Sequence, residues 1–117
     1  MTLNEIAEKL QLIDLTPEIR DEKLADVTRG HASDLLSDVL AHAPGGGVLV
    51  TIQVHMNVLA VSVNAGLAAV IFVSGRAPEE SVRQKAIQER IPLYVSNEST
   101  FDIVGKLYGL GLRGHHA

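Results

Sequence analysis

Three short stretches carry the residues whose types and spacing could do chemistry. His55 stands between Gln53 and Asn57, where a β-branched run gives way to a helical pattern. Such a position combines a titratable ring with backbone N–H groups and the positive end of a helix dipole. Ser74-Gly75-Arg76 follows the most apolar run of the chain and precedes a second helix. That is where open α/β sheets hold their ligands, and an arginine there can grip a phosphate or carboxylate through two parallel N–H bonds. Thr28, Arg29 and His31 form a third break of the same kind around Gly30. Thr28, Arg29, His31, Gln53, His55, Asn57, Ser74, Gly75 and Arg76 are therefore the candidate ligand-binding set, and the ligand they suit is a small anion. Each has an ordinary alternative as well: a histidine at a turn often only caps it, and a loop arginine is often only solvated.

Other constellations point to less. Gly45-Gly46-Gly47 precedes a strand, whereas a phosphate cradle follows one, opens a helix and carries a Lys-Ser or Lys-Thr pair. Asp34 and Asp38 are spaced one helical turn apart and could offer oxygens to a hard cation, but a solvated helix face accounts for them as well. His31, His42 and His55 lack the paired spacing of a zinc site. No nucleophile elbow, triad or metal motif is present, so the expectation is no enzyme, no metal and no cofactor.

The elements that must position these groups can be read in order. Thr2 and Glu5 make a capping-box pattern before Leu3, Ile6, Ala7 and Leu10, which share a helical face. Gln11 to Leu15 is a brief extended run and Thr16-Pro17-Glu18 turns it. Lys23 to Thr28 reads as a strand that Arg29-Gly30-His31 ends. Ser33 caps the next helix, which turns Leu35, Leu36, Val39, Leu40 and Ala43 inward and stops at Pro44. Val48 to Ile52 and Ala69 to Val73 are buried strands. Between them, His55 to Asn64 is a helix apolar nearly all round, ended by Gly66. Pro78 opens a helix with Val82, Ala86 and Ile87 on its buried face. Pro92 to Val95 is the last strand. Ser99 or Thr100 caps a final helix with Phe101, Val104, Leu107 and Tyr108 inward, and the tail from Gly114 through His115-His116 is frayed.

Alternating strands and helices over 117 residues predict one α/β domain, 1–117, with a mostly parallel central sheet covered by helices. The composition agrees: 46% hydrophobic, mostly branched aliphatic, and only 3% aromatic. A net charge of -4, with scattered Lys and Arg and few aromatics, gives no footprint for nucleic acid. The absence of cysteine removes disulfides and thiolate chemistry and is compatible with a cytoplasmic location. The opening residues are acidic and lack the apolar segment of a signal peptide. Val58 to Val73, broken by Ser62, Asn64 and Gly66, is too short and polar for a membrane span of ~20 residues.

Ser33-Asp34-Leu35-Leu36-Ser37-Asp38, the turn Thr51-Ile52-Gln53-Val54-His55-Met56-Asn57-Val58, Ser74-Gly75-Arg76-Ala77-Pro78, Ile91-Pro92-Leu93 and the Thr100 cap, in that order, resemble the DRTGG domain family. The likeness covers nearly the whole chain. Val54-His55 stands where the family's Asp-Arg is expected and Ser74-Gly75-Arg76 where its Thr-Gly-Gly is, so His55 and Arg76 would supply the charge. The resemblance is nearest to small stand-alone members, often beside iron-only hydrogenase genes and sometimes labelled serine kinases through likeness to the non-catalytic N-terminal domain of HPr kinase. It implies a regulatory or sensory homodimer binding a small anionic ligand, an adenine nucleotide in the specific form, at the carboxyl edge of the sheet. The alternative it implies is a ligand-free interaction module for redox or hydrogenase proteins.

Overall fold

The computed structural model describes residues 1–114, so the expected fraying of His115 to Ala117 lies outside the described residues. The sheet has five strands: β1 (Ile13–Asp14), β2 (Gly30–Ala32), β3 (Val48–Thr51), β4 (Ala69–Phe72) and β5 (Leu93–Val95), in the spatial order β1-β5-β4-β3-β2. Strands β2 to β5 run parallel, and β1 pairs antiparallel with β5, Ile13 opposite Val95. Five helices cover it: α1 (Leu3–Leu10), α2 (Leu36–His42), α3 (Asn57–Ala65), α4 (Glu80–Glu89) and α5 (Thr100–Gly109). This is the expected α/β architecture with a mostly parallel sheet. No helix among the described residues is long and apolar enough to cross a membrane.

Each central strand is buried on both faces, which is why it reads as a run of mostly aliphatic residues with no charge in it. Alternate side chains divide two cores. Val48, Val50, Ile71 and Tyr94 pack with Leu3 and Ile6 of α1 and Ile103 and Leu107 of α5. Leu49, Val70, Phe72 and Leu93 pack with Val39 of α2, Val58 and Leu59 of α3 and Val82 and Ala86 of α4. The capping box at Thr2 forms, with Thr2 Oγ1 accepting from Glu5 N at 3.2 Å and Thr2 N donating to Glu5 Oε1 at 3.1 Å.

Several local expectations are corrected. The segment Lys23 to Thr28 is not a strand: Arg20–Leu24 is a 3-10 turn with Lys23 buried, and Asp26 makes only an isolated bridge to Thr2. The strand is Gly30–Ala32, the stretch expected to end it. β2 has one strand neighbour, so its place follows from pairing with Val48 to Val50 and not from its own propensity. Ser33 does not cap α2; its hydroxyl accepts from Leu35 N, and the helix begins after Leu35 without a side-chain cap. Leu35 and Leu40 face outward while Val39 is buried. Pro78 lies ahead of α4, because the backbone is still extended at Glu79. α3 buries only Val58, Leu59 and Ser62, since it touches the sheet on one side. α5 turns Ile103 and Leu107 inward, and Phe101, Val104 and Tyr108 outward.

Arg83 on α4 binds Glu80 through two nitrogens, Nε at 2.9 Å and Nη2 at 2.8 Å, and Glu18 through Nη1 at 2.9 Å. The guanidinium, with Gln84 second, lowers the Glu80 carboxyl from its ordinary 4.5 to about 2. A depressed carboxyl contributes stability that is present above its unfolded value and lost as pH falls toward its folded one. Arg83→Met should therefore bring the Glu80 titration back toward 4.5 and flatten the stability loss between pH 4.5 and 2. Carboxyl-carbon NMR titration checks it; an unmoved Glu80 midpoint would refute the assignment.

Candidate functional site

The carboxyl ends of β3 and β4 open into two loops that face each other. In the first, alternate side chains satisfy the backbone of their own loop. Thr51, fully buried, donates its hydroxyl to Asp34 Oδ1 at 2.8 Å and accepts from Gln53 N at 3.0 Å. Asp34 Oδ1 also accepts from Ile52 N at 2.8 Å. Gln53 Oε1 accepts from His55 N at 3.1 Å, and His55 Nδ1 accepts from Asn57 N at 3.1 Å. The last bond assigns the proton of a neutral His55 ring to Nε2, which has no partner among the described residues. It also corrects one expectation: the N–H groups of Gln53, His55 and Asn57, at the start of α3, are not free for a ligand.

In the second loop, Ser74 and Gly75 both take left-handed backbone, φ 57° and 68°, and Arg76 N closes the turn on Val73 O at 3.1 Å. Two successive positive φ values define a type I′ turn, strained at Ser74 and natural at Gly75. Ser74 N donates to Glu98 O at 2.8 Å and Gly75 N to Ser96 O at 2.9 Å, so the turn is tied to the loop after β5. A methyl group at Gly75 would also crowd Asn97 Oδ1, 3.1 Å away.

Between the loops lies a cleft of about 640 Å³ lined by Gln53, His55, Arg76, Glu79 and Ser81, among others. Arg76 is exposed and makes no ion pair among the described residues. Gln53, His55 and Arg76 are thus brought together, with Ser74 and Gly75 forming the turn beside them. Asn57 lies at the start of α3 and faces a separate groove toward Lys85 and Glu89.

The remaining three expected residues are elsewhere. Thr28 and Arg29 precede β2 and so sit at the opposite, amino edge, where Thr28 O accepts from Arg113 N at 3.0 Å. His31 is inside β2, with Nε2 2.8 Å from Asp38 Oδ2 on α2. That bond, with Ser33 second, holds the Asp38 carboxyl below the ordinary range. The displacement of all three follows from the strand lying at Gly30–Ala32 instead of upstream. Asp34 and Asp38, spaced for either a hard cation or a solvated helix face, instead serve Thr51 and His31 separately, and no group of three or more His, Asp or Glu among the described residues is placed to hold a metal. Sequence reasoning missed Thr51 and Glu79, and it considered Asp34 only as a cation ligand or solvated helix residue, not as the acceptor beneath this loop. The alternation Thr51, Gln53, His55, each able to accept from the N–H two residues on, was the signal for the first.

No family model matches the sequence, and no curated protein matches it. Among solved structures the fold is similar to the crystal structure of the CBS and DRTGG domains of the regulatory region of Clostridium perfringens pyrophosphatase, complexed with the activator diadenosine tetraphosphate. The TM-score is 0.72 over 91% of this chain, at 12% identity. This chain spans 45% of the length of that one. At that identity the likeness shows the fold, which is DRTGG-like.

Proposed function

We propose that this chain is a non-catalytic regulatory domain that binds a small anionic ligand, an adenine nucleotide in the most specific form, in the cleft between the loops after β3 and β4. The observation that carries the reading is that Gln53, His55 and Arg76 line one cleft of about 640 Å³, a volume ordinary for small-molecule sites. Arg76 offers a bidentate fork, His55 its Nε2–H and Gln53 its amide N–H groups. The loop backbone contributes little, because most of its donors are occupied. Glu79 lines the same cleft and would repel a bare phosphate, whereas a ligand with ribose or base donors could use its carboxylate. The regulatory region of similar fold, complexed with a nucleotide activator, supports the same reading.

Calorimetry with ATP, AMP, diadenosine tetraphosphate and pyrophosphate tests it. Nucleotides should bind more tightly than pyrophosphate, and Arg76→Ala should weaken them roughly tenfold or more, the loss of one charge-assisted contact. His55→Ala should act in the same direction. A silent panel, or binding indifferent to both substitutions, would end the proposal. The second reading, a ligand-free interaction module, draws on the same self-satisfied backbone; a protein that co-purifies repeatedly and ignores nucleotides would favour it.

A further inference from the structure

The cleft between the loops after β3 and β4 contains one cationic and one anionic side chain. Among the residues lining it, Arg76 is the only lysine or arginine and Glu79 the only acid. Both are exposed, both lie between β4 and α4, and neither is in an ion pair among the described residues. Glu79 stands at the N-cap of α4 without a side-chain cap bond, so its carboxylate is uncommitted. The cations that follow on α4 are taken: Arg83 holds Glu80 and Glu18, and Lys85 holds Glu89 at 3.2 Å. Backbone donors are taken as well. The N–H groups of Gln53, His55 and Asn57 bond side chains of their own loop, and those of Ser74, Gly75 and Arg76 bond carbonyls.

We infer that the cleft selects a ligand with a single phosphate, a ribonucleoside monophosphate, against polyphosphates, and that Glu79 is the residue that discriminates. The inference rests on the reading of this cleft as the ligand site. A phosphomonoester carries about -1.5 to -2 charges at pH 7, which one bidentate guanidinium and the neutral donors of Gln53 and His55 can hold. Polyphosphate sites add further cations or a run of free backbone N–H groups, and neither lines this cleft. A second or third phosphate would therefore find no positive partner and would face the Glu79 carboxylate, a like charge that acts against the wrong ligand. A carboxylate only accepts hydrogen bonds, so what Glu79 favours is a donor: a ribose hydroxyl or a base amino group. An anionic end on Arg76 and a donor end on Glu79, three residues on, match a nucleotide whose charge is confined to one end.

Calorimetry of the full chain with AMP, ADP and ATP tests this, with EDTA present so that no divalent cation neutralises the phosphates. AMP should bind roughly tenfold more tightly than ATP at low salt, with ADP between them. The gap should narrow at high salt, because the charges that set it are exposed. Glu79→Gln removes a charge from a side chain that makes no bond of its own among the described residues, so the melting temperature should not move. It should cut the preference for AMP over ATP by roughly tenfold, and Glu79→Lys should reverse it. ATP binding as tightly as AMP, with Arg76→Ala weakening both, would overturn the selection and leave the site standing. A preference for AMP that ignores salt, or that Glu79→Gln leaves untouched, would overturn the role of Glu79. Binding by no nucleotide at all would overturn both the site and the selection.

Discussion

Lys23→Ala should lower stability by about 3 kcal/mol, the cost of deleting a buried side chain together with its hydrogen bonds, and the melting temperature by roughly 12 °C. Lys23 is 2% exposed. Its ammonium donates to Asp14 Oδ2 at 2.6 Å and to the Thr16 carbonyl, and lies 6.0 Å from the centre of the Tyr94 ring. Those bonds tie the 3-10 turn to β1, an edge strand of two residues with few bonds of its own. Thr16, also fully buried, accepts from Leu93 N through its hydroxyl at 3.1 Å, so the disturbance would reach β5. Alanine removes both the charge and the aliphatic stem, leaving Asp14 unpaired and a void beside Tyr94. Lys23→Met keeps most of the stem volume and should recover about half of the loss. Thermal and urea unfolding measure both. A loss below about 1 kcal/mol for the alanine variant would mean that desolvation of the ammonium cancels its bonds.

Thr51→Val should cost about 2 kcal/mol despite preserving the shape of a fully buried side chain. The substitution removes the hydroxyl that donates to Asp34 and accepts from Gln53 N, leaving the latter donor without a partner. Asp34→Ala should cost a similar amount, because it strips the acceptor from both Thr51 and Ile52 N. The two act through one network, so the double variant should fall short of the sum by about 1 kcal/mol. Urea unfolding of the four proteins closes the cycle; strict additivity would show that the two residues work independently. If the proposed cleft is the ligand site, both variants should also weaken ligand binding, since they release the loop that carries Gln53 and His55.

The sequence was legible where a residue's role depends on near neighbours. Val48–Thr51, Ala69–Phe72 and Leu93–Val95 are mostly aliphatic because parallel strands are covered twice, and that composition announces them. Thr2 with Glu5, Gly66 at φ 66° and Ser99 accepting from Asp102 N at 3.2 Å are contacts within three or four residues, and each forms as expected. From such pieces the α/β class and a mostly parallel sheet follow.

Tertiary structure decided what propensity leaves degenerate. Lys23 to Thr28 reads as the strand by propensity, yet the pairing of Gly30 with Val48 places it at Gly30–Ala32, moving Thr28 and Arg29 to the amino edge. α5 has apolar residues on two sides; helical spacing shows that both stripes exist, and only the packing of Ile103 and Leu107 under the sheet settles which is inward. Whether the N–H groups before α3 are open depends on side chains folding back onto them, which residue types permit but do not impose. The sequence by itself thus determined the kinds of element and their order, because those rest on local sterics and burial period. Which loops meet, and which faces stay open, was decided by long-range pairing, where one register excludes another at little local cost.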